Sequence, residues 1–330
     1  MVQVPSVTER IGAYDRPPMR VRLPEIAPDA YRRITFVAAV LLAIIIVTGG
    51  AVRLTDSGLG CPDWPTCGKP LREHGTYDGH ALIEFINRMI TGLVSVAVIV
   101  CVLGALRRAP RRGDLVLLAW GLVAGVFGQA VLGALVVIFE LQPPLVMAHF
   151  LLSLVLLTNA VALHRRAGQP DAPARLVVAP EVRTAGRLML GVAAVVVVAG
   201  TFVTATGPHL GDRDVEPLSF NPPDVARVHG ASVIAFSILV LVTLWQLRRT
   251  KAPTSVFQRL VVLIGLIVVQ AAIGYLQYFN GIPEVLVGFH IAGAAAIWAA
   301  VVSFYLELFS RGLPTGGPTD SPRQPALAAR

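Results

Sequence analysis

Three histidines stand inside long apolar stretches, each five to seven residues after a proline: His149, His229 and His290. Polar side chains are costly in a membrane-like medium unless they hydrogen-bond or bind a ligand, so they often mark functional sites. Neutral imidazole is also the commonest metal ligand among side chains. Each histidine taken alone is equally compatible with a hydrogen-bonded residue near a helix end. Together they suggest ligation of a metal inside a hydrophobic protein.

A second polar group occurs earlier, in the stretch GHALIEFINRMITG. Glu84, Asn87 and Arg88 are spaced by three and four residues, which brings side chains to one helix face. Glu84 admits two interpretations, a general acid–base group or an ion pair with Arg88 that anchors a helix end. His80 lies on the same face, four residues before Glu84, and is the reserve ligand if His149 is not one.

The chain contains an internal duplication. Gln129 to His149, QAVLGALVVIFELQPPLVMAH, matches Gln270 to His290, QAAIGYLQYFNGIPEVLVGFH, with a constant offset of 141 residues. Earlier in each half the offset is 142 residues, and there Asn87 corresponds to His229. The repeat therefore covers the whole apolar part of the chain.

Composition indicates a protein that is embedded in a membrane. Of 330 residues, 55% are hydrophobic and only 15% charged, and the mean hydropathy is +0.67, well above that of a soluble domain. The formal charge of +8 does not indicate nucleic-acid binding. The basic residues sit in short segments between apolar runs, where they set membrane orientation.

Eight apolar runs are each near the 20 residues that cross a bilayer. The predicted spans are residues 34–52, 81–106, 115–139, 144–163, 187–206, 223–247, 259–279 and 284–308. With both termini in the cytoplasm, most of the 28 Lys and Arg residues fall on the cytoplasmic side. We therefore expect a multi-pass protein of the bacterial plasma membrane with both termini cytoplasmic.

The predicted fold class is an all-α polytopic membrane protein whose eight transmembrane helices form two pseudo-symmetric four-helix bundles. Because each half has an even number of spans, the halves share one orientation and are related by an axis along the membrane normal. The predicted organisation is a cytoplasmic tail at 1–33, a first bundle at 34–163, a cytoplasmic linker at 164–186, a second bundle at 187–308 and a cytoplasmic tail at 309–330.

The histidines share one depth, because each lies in the first turns of an even-numbered span. His229 and His290 face each other across the second bundle, an arrangement that suits heme iron with its axial nitrogens on opposite sides. Zinc fits less well, since a third and fourth ligand at that level are not evident. The first bundle has Asn87 in place of one histidine, so His149 and Glu84 would adjoin an open position. This asymmetry predicts a redox cofactor in the second half and the substrate in the first.

Two cysteines and three arginines are predicted to lie near the outer surface. Cys61 and Cys67 flank a short turn in TDSGLGCPDWPTC, and on the outer side of a membrane such a pair favours a disulfide over a metal site. Arg53, Arg88 and Arg227 lie near the level of the histidines. They are candidates for pairing with heme propionates and equally for anchoring helices at the membrane interface.

This combination resembles the heme A synthase family over roughly residues 34–308. The similarity rests on the eight spans in two repeats, the loop pattern TDSGLGCPDWPTC, the EFINR motif and a histidine on each of spans 4, 6 and 8. It implies oxidation of the C8 methyl of heme O to a formyl group by successive hydroxylations. It also implies heme b as a cofactor on His229 and His290, the family's glutamate at Glu84, and His149 as axial ligand of the substrate heme.

The resemblance has one departure at the site and leaves several partners open. Many members of the family have a histidine where this chain has Asn87, which places a six-coordinate substrate heme in question. Expected partners are heme O, an electron donor such as quinol, heme O synthase and terminal oxidase assembly factors. A homo-oligomer is left open.

Two other functions use the same residues. A di-heme b-type cytochrome that passes electrons between quinol and a partner predicts two bis-histidine sites, against which Asn87 argues. A transporter with parallel repeats would use Glu84 and Arg88 for its substrate, and would show no heme absorption after purification.

Overall fold

A computed structural model describes residues 24–61, 67, 72–73 and 76–312 of the chain. Most of the two predicted cytoplasmic tails lies outside the described residues, namely 1–23 and 313–330. The described part contains eight helices that are long and apolar enough to cross a membrane, as the sequence predicted. The chain is thus a multi-pass, all-α membrane protein.

The helices alternate with short loops. Their bounds are α1 Pro28–Leu54, α2 Gly79–Arg107, α3 Gly113–Ile138, α4 Pro143–Ala167, α5 Pro180–Ala205, α6 Pro222–Arg249, α7 Thr254–Phe279 and α8 Glu284–Glu307. Four two-residue strands accompany them: β1 Arg72–Glu73 pairs antiparallel with β2 Thr76–Tyr77, and β3 Arg175–Leu176 pairs antiparallel with β4 Phe309–Ser310.

Most helices extend beyond the predicted spans. The prediction followed the apolar stretch, whereas a helix continues into its polar flanks as long as its backbone bonds are satisfied. Proline in the first turn starts α1, α4, α5 and α6, where its missing N–H costs nothing. The segment predicted as the linker, 164–186, consequently holds the end of α4, strand β3 and the first turns of α5.

The first four helices close into a bundle. Helix α1 packs against α2 and α4, and α3 packs between α2 and α4. Their shared core is apolar and includes Leu42, Val98, Leu122 and Leu163, with the ring of Tyr31 fully buried beside Gly104. This bundle holds Glu84 and Asn87 on α2 and His149 on α4.

The last four helices form the second bundle with the same order. Helix α5 packs mainly against α6, and α7 mainly against α8, while α6 and α7 touch only sparsely. The core centres on Met189, Phe236, Leu260 and Phe304. Because α6 and α8 are diagonal in this bundle, His229 and His290 approach each other across its interior.

The two bundles meet along α1, α4, α5 and α8. A small apolar cluster that includes Ile46, Leu154 and Ala295 fills the middle of the junction. The indole N–H of Trp298 on α8 crosses it to the Leu154 carbonyl at 3.1 Å and the Thr158 hydroxyl at 2.8 Å, both on α4. The halves are therefore joined by packing and by specific hydrogen bonds within the apolar layer.

Candidate functional site

His229 on α6 and His290 on α8 form the closest contact between candidate ligands. Their ring centroids are 6.4 Å apart and the ring planes make an angle of 69°. An imidazole nitrogen lies roughly 2 Å from a bound metal and the ring centroid about 1 Å further away, so two rings on opposite sides of one iron have centroids about 6 Å apart. The observed separation fits a single heme iron between the two rings.

A backbone carbonyl fixes the orientation of His229. Its Nδ1 lies 3.0 Å from the carbonyl oxygen of Val196 on α5. A carbonyl only accepts, so Nδ1 must carry the proton and Nε2 is left with its lone pair. This is the usual outer hydrogen bond of a metal-bound histidine, which sets the tautomer and the ring direction. His229 is therefore prepared to ligate through Nε2.

Each of the three histidine rings lies against a glycine of the preceding helix. A Cβ at Gly200 would be 3.1 Å from His229 Cε1, one at Gly274 would be 3.2 Å from His290 Cε1, and one at Gly133 would be 3.4 Å from His149 Cε1. A side chain larger than hydrogen would crowd the ring at all of these positions. Glycine thus opens the space that each imidazole occupies.

His149 and His290 share a further arrangement that follows the duplication. Gln129 on α3 donates to the His149 carbonyl at 3.1 Å, and Gln270 on α7 donates to the His290 carbonyl at 2.8 Å. The Nδ1 atoms of both histidines are buried without a hydrogen-bond partner. Both Nδ1 atoms lie within 4 Å of the Cβ position of the glycine on the preceding helix, which leaves Nε2 as the nitrogen available to a ligand.

The polar group on α2 is fully engaged with its neighbours. Glu84 is only 5% exposed; its Oε2 accepts the backbone N–H of Cys61 at 2.7 Å, and its Oε1 is paired with Arg88. The ion pair considered from the sequence is thus present, and it does not exclude a chemical role. Asn87 accepts a hydrogen bond from the Thr48 hydroxyl on α1 at 2.8 Å.

The loop whose Cys61 N–H binds Glu84 is closed by the Cys61–Cys67 disulfide, which the sequence predicted. Cys61 is completely buried beside Ala81, and Asp78 caps the start of α2 by accepting the Ala81 N–H at 3.0 Å. The disulfide, the helix start and the carboxylate therefore form one unit. Reasoning from the sequence did not link Glu84 to the disulfide loop.

The structure brings only some of the predicted site residues into contact. His229 and His290 meet, but within the described part of the chain no hydrogen bond joins His149 to Glu84 or Asn87. The first bundle therefore presents these groups on separate walls, with α2 carrying the carboxylate and amide and α4 the imidazole. A substrate held between them would contact both helices.

The remaining candidate residues, His80, Arg227 and Arg53, have partners other than the three histidines. His80 is exposed, with Nδ1 3.1 Å from the Ser57 hydroxyl. Arg227 pairs with Asp224 on its own helix and is 79% exposed. Arg53 is directed into the junction between the bundles, where it donates to the Thr204 carbonyl of α5 at 2.7 Å. The described residues hold no group of three or more His, Cys, Asp or Glu arranged for a bare metal ion.

Comparisons with known proteins agree with this architecture. A family model described as Cytochrome oxidase assembly protein matches residues 32–75 and 73–210. The chain is 30% identical over 317 residues to the heme A synthase of Symbiobacterium thermophilum, covering 88% of this chain and 98% of that protein. It is 24% identical over 283 residues to the heme A synthase of Halalkalibacterium halodurans, covering 82% and 94%, respectively.

A shorter match, 34% identical over 122 residues, joins it to the heme A synthase of Lysinibacillus sphaericus and covers 36% of this chain and 39% of that one. The fold and the site define a polytopic membrane protein with paired histidines inside duplicated helical bundles. The chain belongs to the cytochrome oxidase assembly protein family.

The residues around the histidines were the part of the site that sequence reasoning missed. Gln129 and Gln270 served only to align the repeats, although polar side chains at equivalent positions within two apolar spans are themselves a functional signal. The Val196 carbonyl has no such signal, because a backbone group is present at every position.

Proposed function

We propose that this chain is a heme A synthase that oxidises the C8 methyl of heme O to a formyl group by successive hydroxylations. The single observation that carries the proposal is the His229–His290 pair, at a centroid separation of 6.4 Å, in a chain whose relatives are heme A synthases. The resemblance of the TDSGLGCPDWPTC and EFINR stretches to that family supports the same conclusion.

In this proposal the second bundle is the cofactor half. His229 and His290 would hold the iron of heme b, which would supply one-electron redox chemistry there. The Val196 carbonyl keeps the Nδ1 proton of His229 in place, and Gly200 and Gly274 leave room for the two rings. These residues orient the ligands before the cofactor binds, so little ordering is needed at that step.

The first bundle is the substrate half. His149 offers a nitrogen ligand to the iron of heme O, and Gly133 leaves room for its ring. Glu84 acts as the acid–base group, and its hydrogen bond from the Cys61 N–H and its ion pair with Arg88 hold the side chain in place. Asn87 accepts the Thr48 hydroxyl on its oxygen and offers its N–H groups to the substrate. The asymmetry with the second bundle leaves one face of the substrate iron without a histidine.

Orientation and partners follow from the same proposal. Both termini are cytoplasmic in the bacterial plasma membrane, because most basic residues lie in the segments on that side. The candidate site is then near the outer surface. Heme O synthase would supply heme O to this site, and an electron donor such as quinol is a further candidate partner. Terminal oxidase assembly factors are further candidate partners, and a homo-oligomer is compatible with the fold.

Pigment analysis of the purified protein tests the proposal. The protein is expressed in cells that make heme O, purified in detergent, and its hemes are extracted and identified by mass spectrometry. A heme A synthase contains heme b together with heme O or heme A. Heme b alone at two sites would support an electron-transfer cytochrome, and a protein without a Soret band would support a transporter; either result would overturn the proposal.

A further inference from the structure

Two glutamines hold the main chain of two candidate ligand histidines. Gln129 Nε2 lies 3.1 Å from the His149 carbonyl oxygen, and Gln270 Nε2 lies 2.8 Å from the His290 carbonyl oxygen. Each glutamine stands four residues before the glycine that faces the ring of the same histidine, Gly133 and Gly274 respectively. The glutamine and glycine therefore lie on one helix face, one turn apart.

We propose that Gln129 and Gln270 are positioning residues that set the depth and rotation of α4 and α8 for heme ligation. The inference rests on the proposed function, since it assigns these bonds to the two heme sites. A carbonyl has two lone pairs, so the histidine carbonyl can keep its intrahelical bond while it accepts the glutamine. The bond fixes one turn of α4 or α8 against α3 or α7, and the imidazole then projects over the glycine one turn further on.

The burial of the glutamines supports a specific role. The Oε1 atoms of both are buried without a hydrogen-bond partner, so the bonds made by Nε2 are what hold these side chains in place. In the second bundle the oxygen of Gln270 occupies the space above Gly293, where a Cβ would be only 1.8 Å away. Gly293 thus makes room for Gln270 as Gly274 makes room for His290.

The glutamine–histidine contact has more neighbouring hydrogen bonds in the first bundle than in the second. In the first bundle Gln129 also donates to Ser153 Oγ at 2.8 Å, and Ser153 donates to the same His149 carbonyl at 3.0 Å. The equivalent of Ser153 in the second bundle is Ala294. The position of His290 therefore depends on Gln270 without the support of a neighbouring hydroxyl, and a change at Gln270 should be felt directly at the heme b iron.

The test compares Gln270→Met with Gln129→Met in the full-length, heme-loaded protein. Methionine has a similar length but no donor. Interhelical hydrogen bonds of this kind change an equilibrium by about three- to tenfold. Gln270→Met is expected to shift the electron paramagnetic resonance signal and midpoint potential of heme b, and to speed its loss to a heme scavenger about three- to tenfold. Gln129→Met is expected to leave the heme b signal unchanged and to lower formyl production.

Gln277→Met is the matched control, because Gln277 lies two turns along α7 with its Oε1 buried and makes no bond to His290. Gly293→Ala is the second variant, since the added methyl displaces the Gln270 amide without changing Gln270 itself. It should reproduce the Gln270→Met shift. The inference is wrong if folded Gln270→Met or Gly293→Ala protein keeps the heme b signal and potential of the Gln277→Met control. A parent protein that lacks heme b would instead refute the proposed function.

Discussion

In the proposed function, His229 and His290 are the residues that bind heme b in the second bundle. Their rings face each other at 6.4 Å between centroids, and His229 is already oriented by the Val196 carbonyl. We expect His229→Ala and His290→Ala each to abolish the heme b absorption of the purified protein, because each change removes one of the two imidazoles that would hold the iron. Visible spectroscopy with pyridine hemochrome analysis measures this directly.

His149→Ala is the control for that prediction. It removes an imidazole of the same type from the equivalent helix of the first bundle, so the heme b spectrum should remain while heme A is no longer formed. If either second-bundle alanine variant keeps both its heme b and its turnover, the assignment of His229 and His290 as ligands is wrong.

Substitution of Glu84 tests whether this residue is an acid–base group or only anchors the end of α2. Glu84→Ala is expected to lower heme A formation by about 10²–10⁴-fold, the usual contribution of a general acid–base group, while the heme b spectrum persists. The variant also removes the carboxylate that accepts the Cys61 N–H and pairs with Arg88, which costs about 1–3 kcal/mol of stability. Heme A is measured in membrane extracts and the stability by thermal unfolding.

The disulfide variant Cys67→Ser distinguishes the two roles of Glu84. It loosens the loop that donates the Cys61 N–H but keeps the carboxylate. A purely anchoring Glu84 would give the same loss of stability and of heme A in both variants. Heme A formation that survives in Glu84→Ala protein would contradict the acid–base role altogether.

At the scale of the helices, substitution of the glycine beside a histidine ring tests whether that contact is needed for heme binding. We expect Gly200→Val to displace the His229 ring, because a Cβ there already lies 3.1 Å from Cε1, and to break its bond to the Val196 carbonyl. Overpacking of this kind costs about 1–3 kcal/mol. The heme b content per protein should fall accordingly, as measured by absorption against protein concentration.

Gly191→Val on the same helix is the matched control. Nothing lies within 4 Å of a Cβ at Gly191, which is exposed on the outside of α5. The two variants add the same side chain to the same element and differ only in what it meets. An equal heme b content in both would show that the contact with the ring is unimportant.

The elements were largely predictable because their signals are periodic and repeated. Eight apolar runs gave eight helices, and the constant offset between Gln129 and Gln270 indicated two similar bundles. The pairing of His229 with His290 followed from their equal depth. The bond from Cys61 to Glu84 did not, because it depends on how a loop folds back over α2. Most helices are longer than the predicted spans, because hydropathy marks the residues inside the membrane and not the full length of a helix.

At the scale of the whole molecule, the junction between the bundles sets the distance between the two candidate heme sites. Polar contacts cross it at different depths: Arg53 to the Thr204 carbonyl at one end, Trp298 to two groups of α4 in the middle, and Glu307 with Arg165 at the other end. Helices α4 and α8 carry His149 and His290 and also form this junction. In the proposed function, electron exchange between the sites would depend on the packing of α4 against α8.

Trp298→Phe tests whether the junction acts as a separate structural unit. The change keeps an aromatic ring but removes the N–H that reaches the Leu154 carbonyl and the Thr158 hydroxyl. Interhelical hydrogen bonds in membranes contribute about 0.6–1.7 kcal/mol, which lowers the unfolding midpoint by roughly 2 °C. The heme b spectrum should not change, because Gly274 and Gln270 position His290 from α7 and not from the junction.

A double-mutant cycle with Thr158→Val isolates the bond itself. If Trp298 and Thr158 interact, the double variant will lose less stability than the sum of the losses in the two single variants, since either change alone breaks the same contact. Trp120→Phe, at a lipid-exposed tryptophan of α3, controls for the loss of an indole elsewhere. Additive effects of Trp298→Phe and Thr158→Val would mean that the two side chains do not interact. A shifted heme b spectrum would mean that the junction is not mechanically separate from the cofactor site.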